Sequence, residues 1–464
     1  MIELFVDPDD GRPLTRQLYE QLRSAIVEGR LAPGDRLTAT RSAATELGVA
    51  RSTVAEAYGR LVAEGYVEGR RGGGSVVSAV PGAPPGEPRG AALHPTARAA
   101  RITQYEPDPI PGDVLDLRPG VVDEELLRSS GWRRCVVRAA GIGAGHYTEP
   151  AGTPQLRTAL AHWVTRSRGL VASEAEVVVT SGAGHAVDLL ARVLLEPASV
   201  VAVEEPGYPP VVELLRLHGH QVVGVPVDEQ GIVVDAVPDA ARLVYVTPSH
   251  QYPLGMVMSR ARRLQLLAWA SRTGAAIVED DYDTEFRHGA RPLEPLQRLD
   301  RDGRVIYVGT FSKCLAPSVR LGFLVAPRDL VPGLAAARQV TDWAPPLILQ
   351  TALEEFINGG HLDRHLRRSR LAYRERSHRL RSVLGAVLPA GWRVLPADAG
   401  LHLAVVGPER GVPAPRTVAE GFRAGSLART YAFSDPHPGL LIGFGGLPTT
   451  SVQSACEAVA ASLG

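Results

Sequence analysis

Short apolar runs alternate with helical segments from about Asp113 to Gly464, and this alternation constrains the fold more than any other feature. The runs end in Gly, Pro, Ser, Thr or acidic residues, as in EVVVTSG, SVVAVEEPG, RLVYVTPSH, AAIVEDDYD, RVIYVGTFS and FLVAP. Intervening segments such as HAVDLLARVLLE and RARRLQLLAWASRTG carry helical spacing. Apolar strands that alternate with helices predict a mainly parallel sheet covered on both faces. Ligands bind such sheets at the carboxyl ends of the strands, where this chain places its polar clusters.

Composition divides the chain into three zones. Residues 1–77 are charged and helix-patterned, and residues 113–464 form the alternating zone. Between them, residues 78–112 are rich in Pro, Gly and Ala and have no sustained period, which predicts a linker. The formal net charge is zero, so any contact with nucleic acid must come from a local patch.

The N-terminal zone begins with a predicted amphipathic helix in LTRQLYEQLRSAIVEGRLAPG, with Leu18, Leu22 and Ile26 on one face. Thr40 is predicted to N-cap a short second helix that stops at Gly48.

A third helix is predicted from Ala50 or Arg51, and the short glycine-containing turn before it gives helix-turn-helix spacing. The following GYVEGRRGGGSVVS predicts a hairpin, or wing, whose glycines allow close approach to a surface. The side chains expected to face inward from the third helix are Val54, Tyr58, Leu61 and Val62.

This arrangement predicts DNA binding, with the third helix in a major groove. The alternative is a small helical interaction domain whose arginines are merely solvated. The stretch LAPGDRL…TRSAATELGVARSTVAEAYGRLVAEGYVEGRRGGGSVV resembles the GntR-type winged helix, which favours DNA. The predicted contacts are Arg51, Ser52 and Thr53 with base edges, and Arg41, Arg70 and Arg71 with phosphates.

The chain contains a single lysine, Lys313, against 49 arginines. Base composition of the gene explains why lysine is scarce but not why one remains. Arginine cannot form an imine, because its guanidinium stays protonated. A chain that uses Arg for charge therefore keeps lysine where it needs an amine. Lys313 lies just past a strand end, in VIYVGTFSKCLAPSVRLGF.

Other polar groups follow neighbouring strands. Asp280 and Tyr282 lie at the end of AAIVEDDYD, and TSGAGHAVDLLARVL is a glycine-rich turn that runs into a helix. The backbone N–H groups of Ala183 and Gly184 would face an anion there. Each feature alone has an ordinary explanation: a lysine is usually a solvated surface charge, an acidic run is usually a solvated turn, and a glycine-rich stretch is usually a tight turn. Together they supply what pyridoxal 5′-phosphate needs: an amine, a carboxylate for the ring nitrogen, a donor for the phenolate oxygen and amides for the phosphate.

From about Asp116 the chain resembles the fold-type I aminotransferases, on the motifs GTFSK, EDDYD and EEPGYP. A winged helix joined by a Pro-rich linker to such a domain resembles the MocR subfamily of GntR regulators. The resemblance implies a winged helix-turn-helix plus an α/β fold-type I aminotransferase-like domain. Its large domain would span about 145–335, and a smaller α+β domain about 336–464 plus 113–144.

The resemblance also implies roles for site residues and a partner. Lys313 would form the Schiff base, Asp280 would pair with the pyridine nitrogen, Tyr282 would contact the phenolate oxygen and Tyr208 would stack on the ring. A head-to-tail homodimer is implied, in which one chain's DNA module packs on the other's large domain. The phosphate would be held by Ala183, Gly184, Thr310, Ser312 and Arg320, with Tyr147 reaching in from the other subunit.

The sequence departs from transaminating members of this fold. Leu441, in GLLIGFGGLP, stands where those enzymes carry an arginine that clamps the substrate carboxylate, and Pro210 cannot supply a cationic alternative. Losing a charge-assisted bidentate contact predicts poor turnover of α-amino acids. Tyr252 replaces an asparagine near the phenolate oxygen, so His250 or Gln251 would take over that contact, or His250 is a satisfied structural histidine.

The leading prediction is a cytoplasmic regulator that binds double-stranded operator DNA. Its effector would be the cofactor itself, or an amine or amino acid held by an arginine such as Arg287, with vitamin B6 or amino-acid metabolism as the controlled process. The alternatives are an active aminotransferase with an appended N-terminal helical domain, and a regulator in which Lys313 is vestigial. Three dispersed cysteines without a C-x-x-C pair predict a reduced compartment and no bound metal, and no apolar run approaches the ~20 residues of a membrane span.

Overall fold

The computed structural model describes residues 4–8, 10–70, 74–78, 94–102, 114–143, 145–287, 294–408, 418–419 and 421–463. Contacts divide the chain into two compact units, Met1–Thr96 and Ala97–Gly464.

The first unit contains three helices and a hairpin, as the sequence predicts. Leu18, Leu22 and Ile26 are buried, and Gly48 ends the second helix in the left-handed conformation, at φ +65°. Strands β1 and β2 pair antiparallel, and residues 71–73 between them lie outside the described part. The elements are α1 Leu14–Val27, α2 Thr40–Leu47, α3 Arg51–Ala63, β1 Val67–Arg70 and β2 Gly74–Val77.

Two details of the first unit differ from the predictions. The N-cap of α2 is Ala39, and Thr40 is already its first helical residue, so Thr40 does not cap the helix. Val62 is 42% exposed, whereas Ala57 is fully buried. Residues 54, 57, 58 and 61 form one helical stripe, and position 62 lies about 100° beyond it.

The second unit contains twelve described helices and fourteen described strands. The first of these helices is a six-residue helix that lies inside the predicted linker, where the sequence shows no sustained period. The helices are α4 Ala97–Ile102, α5 Glu124–Arg128, α6 Trp132–Ala139, α7 Pro154–Arg168, α8 Ala183–Leu194, α9 Pro209–Leu217, α10 Arg260–Thr273, α11 Leu296–Leu299, α12 Val331–Thr341, α13 Leu347–Asn358, α14 His361–Val387 and α15 Val452–Ala461.

An eight-stranded sheet forms the centre of this unit, in the order β4-β11-β10-β9-β8-β5-β6-β7. Neighbours among β10, β9, β8, β5 and β6 are parallel. Four of these strands, β5, β8, β9 and β10, are buried and coincide with predicted apolar runs. The strands are β4 Val177–Thr180, β5 Val200–Glu205, β6 Gln221–Asp228, β7 Gly231–Ile232, β8 Ala241–Val246, β9 Ala276–Asp281, β10 Val305–Thr310 and β11 Gly322–Val325.

The sheet is mainly parallel, as the sequence predicts, but it is mixed because three of its strand pairs are antiparallel. Strand β11 runs antiparallel to both β10 and β4, because the chain returns from β10 through a short connection without a crossover helix. Strand β6 is absent from the predicted runs, since its sequence QVVGVPVD is only partly buried and is broken by Gly and Pro.

A second sheet has the order β12-β13-β16-β15-β14, and β3 pairs with β15 in parallel. This second sheet therefore combines β3, which precedes the central sheet in the chain, with five strands that follow it. Among the described residues, no helix combines the length and apolar composition needed to cross a membrane. The strands are β3 Leu115–Leu117, β12 Arg393–Val394, β13 His402–Val406, β14 Val418–Ala419, β15 Phe422–Ser426 and β16 Gly439–Gly443.

Candidate functional site

The carboxyl ends of β9 and β10 bring the predicted site residues onto one edge of the central sheet. In the register of this parallel pair, Val308 lies opposite Asp280 and Gly309 opposite Asp281. The segment after β10 then carries Lys313. Asp280, the next-to-last residue of β9, and Lys313, three residues after β10, are 33 positions apart in the sequence but belong to the carboxyl ends of adjacent strands.

Asp280 has one carboxylate oxygen bonded and the other without a partner. The hydroxyl of Tyr245 donates to Oδ2, while Oδ1 is buried and has no hydrogen-bond partner among the described residues. Burial raises the pKa of Asp280 to about 7, and the Tyr245 hydrogen bond opposes that rise. A buried oxygen of this kind needs a donor, and a protonated ring nitrogen would supply one.

The next residue, Asp281, is already fully engaged. Arg168 approaches its Oδ2 with Nε at 2.6 Å, and the Tyr307 hydroxyl donates to the same oxygen at 2.6 Å. Successive side chains of a strand lie on opposite faces of the sheet, which separates the two carboxylates. Of these two neighbouring carboxylates, only that of Asp280 therefore remains available to a ligand ring.

Lys313 lies against Gly120, whose conformation and lack of a side chain make room for the amine. A Cβ at Gly120 would be 2.6 Å from Nζ, and Gly120 has φ +104°. Burial lowers the pKa of Lys313, although Asp283 and Asp280 oppose that shift. A lowered amine pKa raises the fraction of neutral, nucleophilic amine, as imine formation requires.

Tyr282 is bonded to a histidine–aspartate pair. Its Oη lies 3.0 Å from Nδ1 of His250, and the same nitrogen lies 2.9 Å from Oδ1 of Asp283. Burial raises the pKa of Tyr282 well above its ordinary value, so its hydroxyl keeps its proton. The Gln251 amide nitrogen donates to the backbone oxygens of Pro206, at 2.8 Å, and Tyr252, at 2.6 Å, and more distantly to Oε2 of Glu204, at 3.5 Å. Gln251 is thus engaged by these groups, and His250 supports Tyr282.

His250, Asp283 and His402 are all buried, and each places one potential metal ligand within 4.8 Å of the others. The described hydrogen bonds of these three side chains are to other protein groups. His250 pairs with Asp283, and His402 Nε2 lies 3.0 Å from the carbonyl oxygen of Pro253. Burial also lowers the pKa of His402 to about 4, so this ring is neutral.

An anion cradle lies where β4 runs into α8. Gly182 precedes the helix at φ +108°, and Ala183 and Gly184 form its first turn. A Cβ at Gly182 would be 3.2 Å from the guanidinium of Arg320, so the cation lies over this helix start. Arg320 has φ +50°, a conformation costly for a non-glycine residue. Helix N–H groups and an arginine together suit a phosphate.

The segment between β10 and β11 meets this cradle. A Cβ at Gly322, the first residue of β11, would be 2.9 Å from both the Cα of Gly182 and the carbonyl oxygen of Gly309. Thr310 and Ser312 are hydrogen-bonded to each other through their hydroxyls, 3.0 Å apart. The five residues predicted to hold phosphate thus lie on two segments, the start of α8 and the stretch from the end of β10 to Arg320.

The other two tyrosines predicted for the site, Tyr208 and Tyr147, have different surroundings. Tyr208 caps the start of α9 and packs edge-on against Tyr252, with ring centroids 5.5 Å apart. Tyr147 is 80% exposed, and its ring contacts Trp343 at 4.3 Å. Within a single chain, Tyr208 therefore packs against Tyr252, whereas Tyr147 lies on the surface.

Leu441, at the position of the missing arginine, is 1% exposed within an apolar cluster. The other members of this cluster are Ala404, Val406, Leu427, Tyr252, Leu254, Leu395 and Tyr431. A carboxylate directed at this position would meet the hydrocarbon of this cluster, an unfavourable environment for a charge. Arg287 has a buried Nε without a partner among the described residues, and burial lowers its pKa.

Glu205, at the end of β5, fastens the Tyr208 loop to the second sheet's connecting segment. Its Oε1 accepts hydrogen bonds from the backbone N–H groups of Ala432, Phe433 and Ser434, at 3.0, 3.0 and 3.1 Å. The N–H of Gly207 also donates to the Thr430 carbonyl, at 3.0 Å.

The predicted DNA contacts occupy the starts of α2 and α3. Arg41, Arg51 and Ser52 are exposed, and Thr53 is half-buried. The Arg70 side chain and the whole of Arg71 lie outside the described residues.

Sequence reasoning missed four residues that build this site: Gly120, Tyr245, Asp283 and Glu205. Tyr245 is the polar member of the strand RLVYV, a signal that was available in the sequence. Asp283 lies inside the motif already identified. Glu205 also lies inside an identified motif, EEPGYP, but its contact with residues 432–434 has no signal in the sequence. Gly120 acts through a contact with Lys313, far away in the chain, which no local pattern reveals.

Comparisons with known proteins agree with this geometry. Residues 121–428 match the family described as aminotransferase class I and II, and residues 14–77 match the bacterial regulatory proteins of the gntR family. The chain is 36% identical to a probable rhizopine catabolism regulatory protein, MocR, of Rhizobium meliloti, over 98% of this chain and 95% of that protein.

Two further relatives extend the comparison. The pyridoxine biosynthesis transcriptional regulator PdxR of Corynebacterium glutamicum is 34% identical, over 96% of this chain and 94% of the relative. The solved structure of a multiple substrate aminotransferase from Thermococcus profundus superposes with a TM-score of 0.70 at 25% identity, covering 80% of this chain and 95% of that one. The predicted winged helix and fold-type I aminotransferase fold are confirmed.

Proposed function

The chain belongs to the MocR subfamily of GntR-type transcription regulators, and on that premise we propose that its aminotransferase-like domain binds pyridoxal 5′-phosphate as a sensing element. The effector is the cofactor itself, or an amine or amino acid that reacts with it. The observation that carries this proposal is the pairing of a buried, unpartnered Asp280 oxygen with the buried amine of Lys313 at adjacent strand ends.

The residues of the site fit each part of this cofactor. When bound, the cofactor supplies an aldehyde that combines reversibly with a primary amine. Lys313 provides that amine, Asp280 holds a proton on the ring nitrogen, and the start of α8 with Arg320 binds the phosphate. Tyr208 lies at the mouth of the site, where its ring covers a flat ligand.

Transamination of ordinary α-amino acids is weak or absent in this proposal. Leu441 offers a buried apolar surface where a substrate carboxylate needs a bidentate cation. Pro210 lies in the first turn of α9 and carries no charge. An effector therefore binds through its amine, or is held by a different cation such as Arg287.

The DNA partner follows from the first unit. The exposed Arg51 and Ser52 at the start of α3 read base edges of an operator, and Arg41 contacts phosphate. We expect this to take place in the cytoplasm, where the DNA is.

A homodimer completes the site. Tyr147 and Trp343 form an exposed aromatic pair, and Val340, three residues before Trp343, is 85% exposed. Large exposed apolar side chains of this kind are common at protein interfaces. In the dimer, Tyr147 reaches the phosphate of the partner's cofactor.

The test compares wild-type protein with Lys313→Ala. Each is incubated with pyridoxal phosphate and desalted, and its near-visible absorbance is measured together with its affinity for the DNA upstream of its gene, with and without cofactor. We expect a retained band and a change in DNA affinity for wild type, and neither for the variant. Absence of a retained band in wild type would refute cofactor sensing and leave Lys313 vestigial.

A second measurement separates the regulator from an aminotransferase. Loaded wild-type protein is mixed with a panel of common amino acids, and its absorbance is followed. We expect slow conversion or none to the pyridoxamine form. Rapid conversion with a common amino acid would establish the enzyme instead.

A further inference from the structure

Three polar groups of the site meet at one nitrogen atom. His250 Nδ1 lies 2.9 Å from Oδ1 and 3.1 Å from Oδ2 of Asp283, and 3.0 Å from Oη of Tyr282. The His250 ring is 2% exposed and Asp283 is 1% exposed, so water does not compete for these contacts.

The donors and acceptors of this cluster leave a single arrangement. A carboxylate only accepts hydrogen bonds, so the nitrogen of His250 that faces Asp283 must carry the hydrogen. A ring nitrogen that carries a hydrogen has no free lone pair and cannot accept from Tyr282. The Tyr282 oxygen therefore shares the N–H of His250, and the hydroxyl proton of Tyr282 is left for another acceptor.

The other side of the His250 ring keeps this arrangement fixed. Its Nε2 is buried and has no partner in the part of the chain that the structure describes. A Cβ at Gly400 would lie 2.1 Å from Cε1 of the ring, and the His402 ring is 5.1 Å away, so the imidazole is tightly enclosed. A proton on Nε2 would be buried without an acceptor, which is costly. The neutral Nδ1–H tautomer follows.

We propose that His250, held by Asp283, is a positioning residue that keeps the Tyr282 hydroxyl proton directed at the phenolate oxygen of bound pyridoxal phosphate. This inference rests on the proposed function. The positioning of Tyr282 is made more important by Tyr252, which stands where the aminotransferases that the chain resembles carry an asparagine. The asparagine amide is thereby lost, so the charge on the cofactor depends more on the direction of the Tyr282 hydroxyl, which His250 orients.

The consequence is a measurable shift in the pH titration of the bound cofactor. A hydrogen bond to the anionic form favours that form and lowers its pKa. If the Tyr282 proton turns toward His250, the phenolate loses its donor, and the pH midpoint of the absorbance change rises by about one to two pKa units.

Two variants of one residue form a matched pair for this test. The side-chain nitrogen of asparagine lies close to the position of histidine Nδ1, and that of glutamine close to the position of Nε2. His250→Asn therefore keeps a donor toward Asp283 and Tyr282, whereas His250→Gln does not. Asp283→Asn removes the acceptor that fixes the ring, and Tyr282→Phe removes the proton altogether.

The first measurement is the absorbance titration of each variant loaded with pyridoxal phosphate. We expect raised midpoints for Tyr282→Phe, His250→Gln and Asp283→Asn, and a midpoint near that of wild type for His250→Asn. Combining Tyr282→Phe with His250→Gln should add nothing to Tyr282→Phe alone. Loaded His250→Gln and Asp283→Asn that titrate like wild type would overturn the inference and leave the proposed function intact.

The second measurement uses the cofactor-free protein, so it does not depend on loading. Imidazole ¹⁵N NMR of histidine-labelled wild type, with the His250 signal assigned by its loss in His250→Asn, reports the tautomer. We expect Nδ1–H in wild type and a change toward Nε2–H in Asp283→Asn. Observation of Nε2–H in wild type would overturn the inference even if every variant failed to fold. Failure of wild type to take up the cofactor at all would refute the proposed function as well.

Discussion

Replacement of Asp280 by asparagine should stabilise the cofactor-free protein while it weakens cofactor binding. The Asp280 carboxyl is 4% exposed and receives one described hydrogen bond, from Tyr245. Its pKa of about 7 lies above the ordinary value of 3.8 that the unfolded chain keeps. The site therefore holds an acid in surroundings that disfavour its ionised form until a cationic ring arrives.

The size of the effect follows from this shift of about three pKa units. For a raised pKa, the stabilising contribution is complete below pH 3.8 and is lost as the pH rises to about 7. Three units at about 1.4 kcal/mol each give about 4 kcal/mol in total. About 2–3 kcal/mol of that loss falls between pH 5 and pH 8. Asp280→Asn has no such loss, and Glu204 and Glu285, whose pKa values also rise to about 7, remain in both proteins.

The assay is urea unfolding of cofactor-free wild type and Asp280→Asn at the two pH values, followed by tryptophan fluorescence. All five tryptophans lie in Ala97–Gly464, so the signal reports this unit alone. The exposed Asp329→Asn serves as a control and should follow wild type. The reasoning is refuted if wild type and Asp280→Asn lose the same stability between pH 5 and pH 8.

Three further predictions concern other parts of the molecule. Arg51→Ala should lose about 1–3 kcal/mol of discrimination between operator and mutated sites, whereas Arg70→Ala should weaken binding to all DNA sequences and flatten its salt dependence. Fluorescence anisotropy would measure both effects. An unchanged sequence preference in Arg51→Ala would place the recognition helix elsewhere. Tyr58→Phe leaves the carbonyl of Thr38 without its donor at 2.9 Å and should destabilise the first unit by about 1–2 kcal/mol in thermal unfolding of the full chain. Gly182→Ala places a Cβ at φ +108° and should weaken cofactor binding about tenfold in an absorbance titration, with unchanged affinity as the contrary result.

The parts of the fold that the sequence predicted are those with a local cause. Strands such as Val305–Thr310 are buried on both faces and therefore appear as unbroken apolar runs. The placing of Asp280 and Lys313 at one edge of the sheet could be predicted because they lie at or just past the ends of such strands, and strand ends of one parallel sheet meet at one edge.

What could not be predicted depends on contacts between distant segments. Strand β6 is half-exposed, so its apolar run is interrupted, and β11 reverses direction without a sequence signal for it. Gly120 matters because Lys313, 193 positions later, lies against it, and nothing near Gly120 indicates that contact. The tautomer of His250 follows from three side chains in space and has no counterpart in the sequence pattern.

The hydrogen bonds that Glu205 accepts from residues 432–434 have a consequence for how the site can move. The Glu205 carboxylate is buried, and three successive amides converge on it. Pulling the Tyr208 loop away from residues 432–434 would leave an acid and those amides without partners, at a cost of several hydrogen bonds. We therefore expect the Tyr208 loop and residues 432–434 to move together, as one body, in any conformational change of this unit.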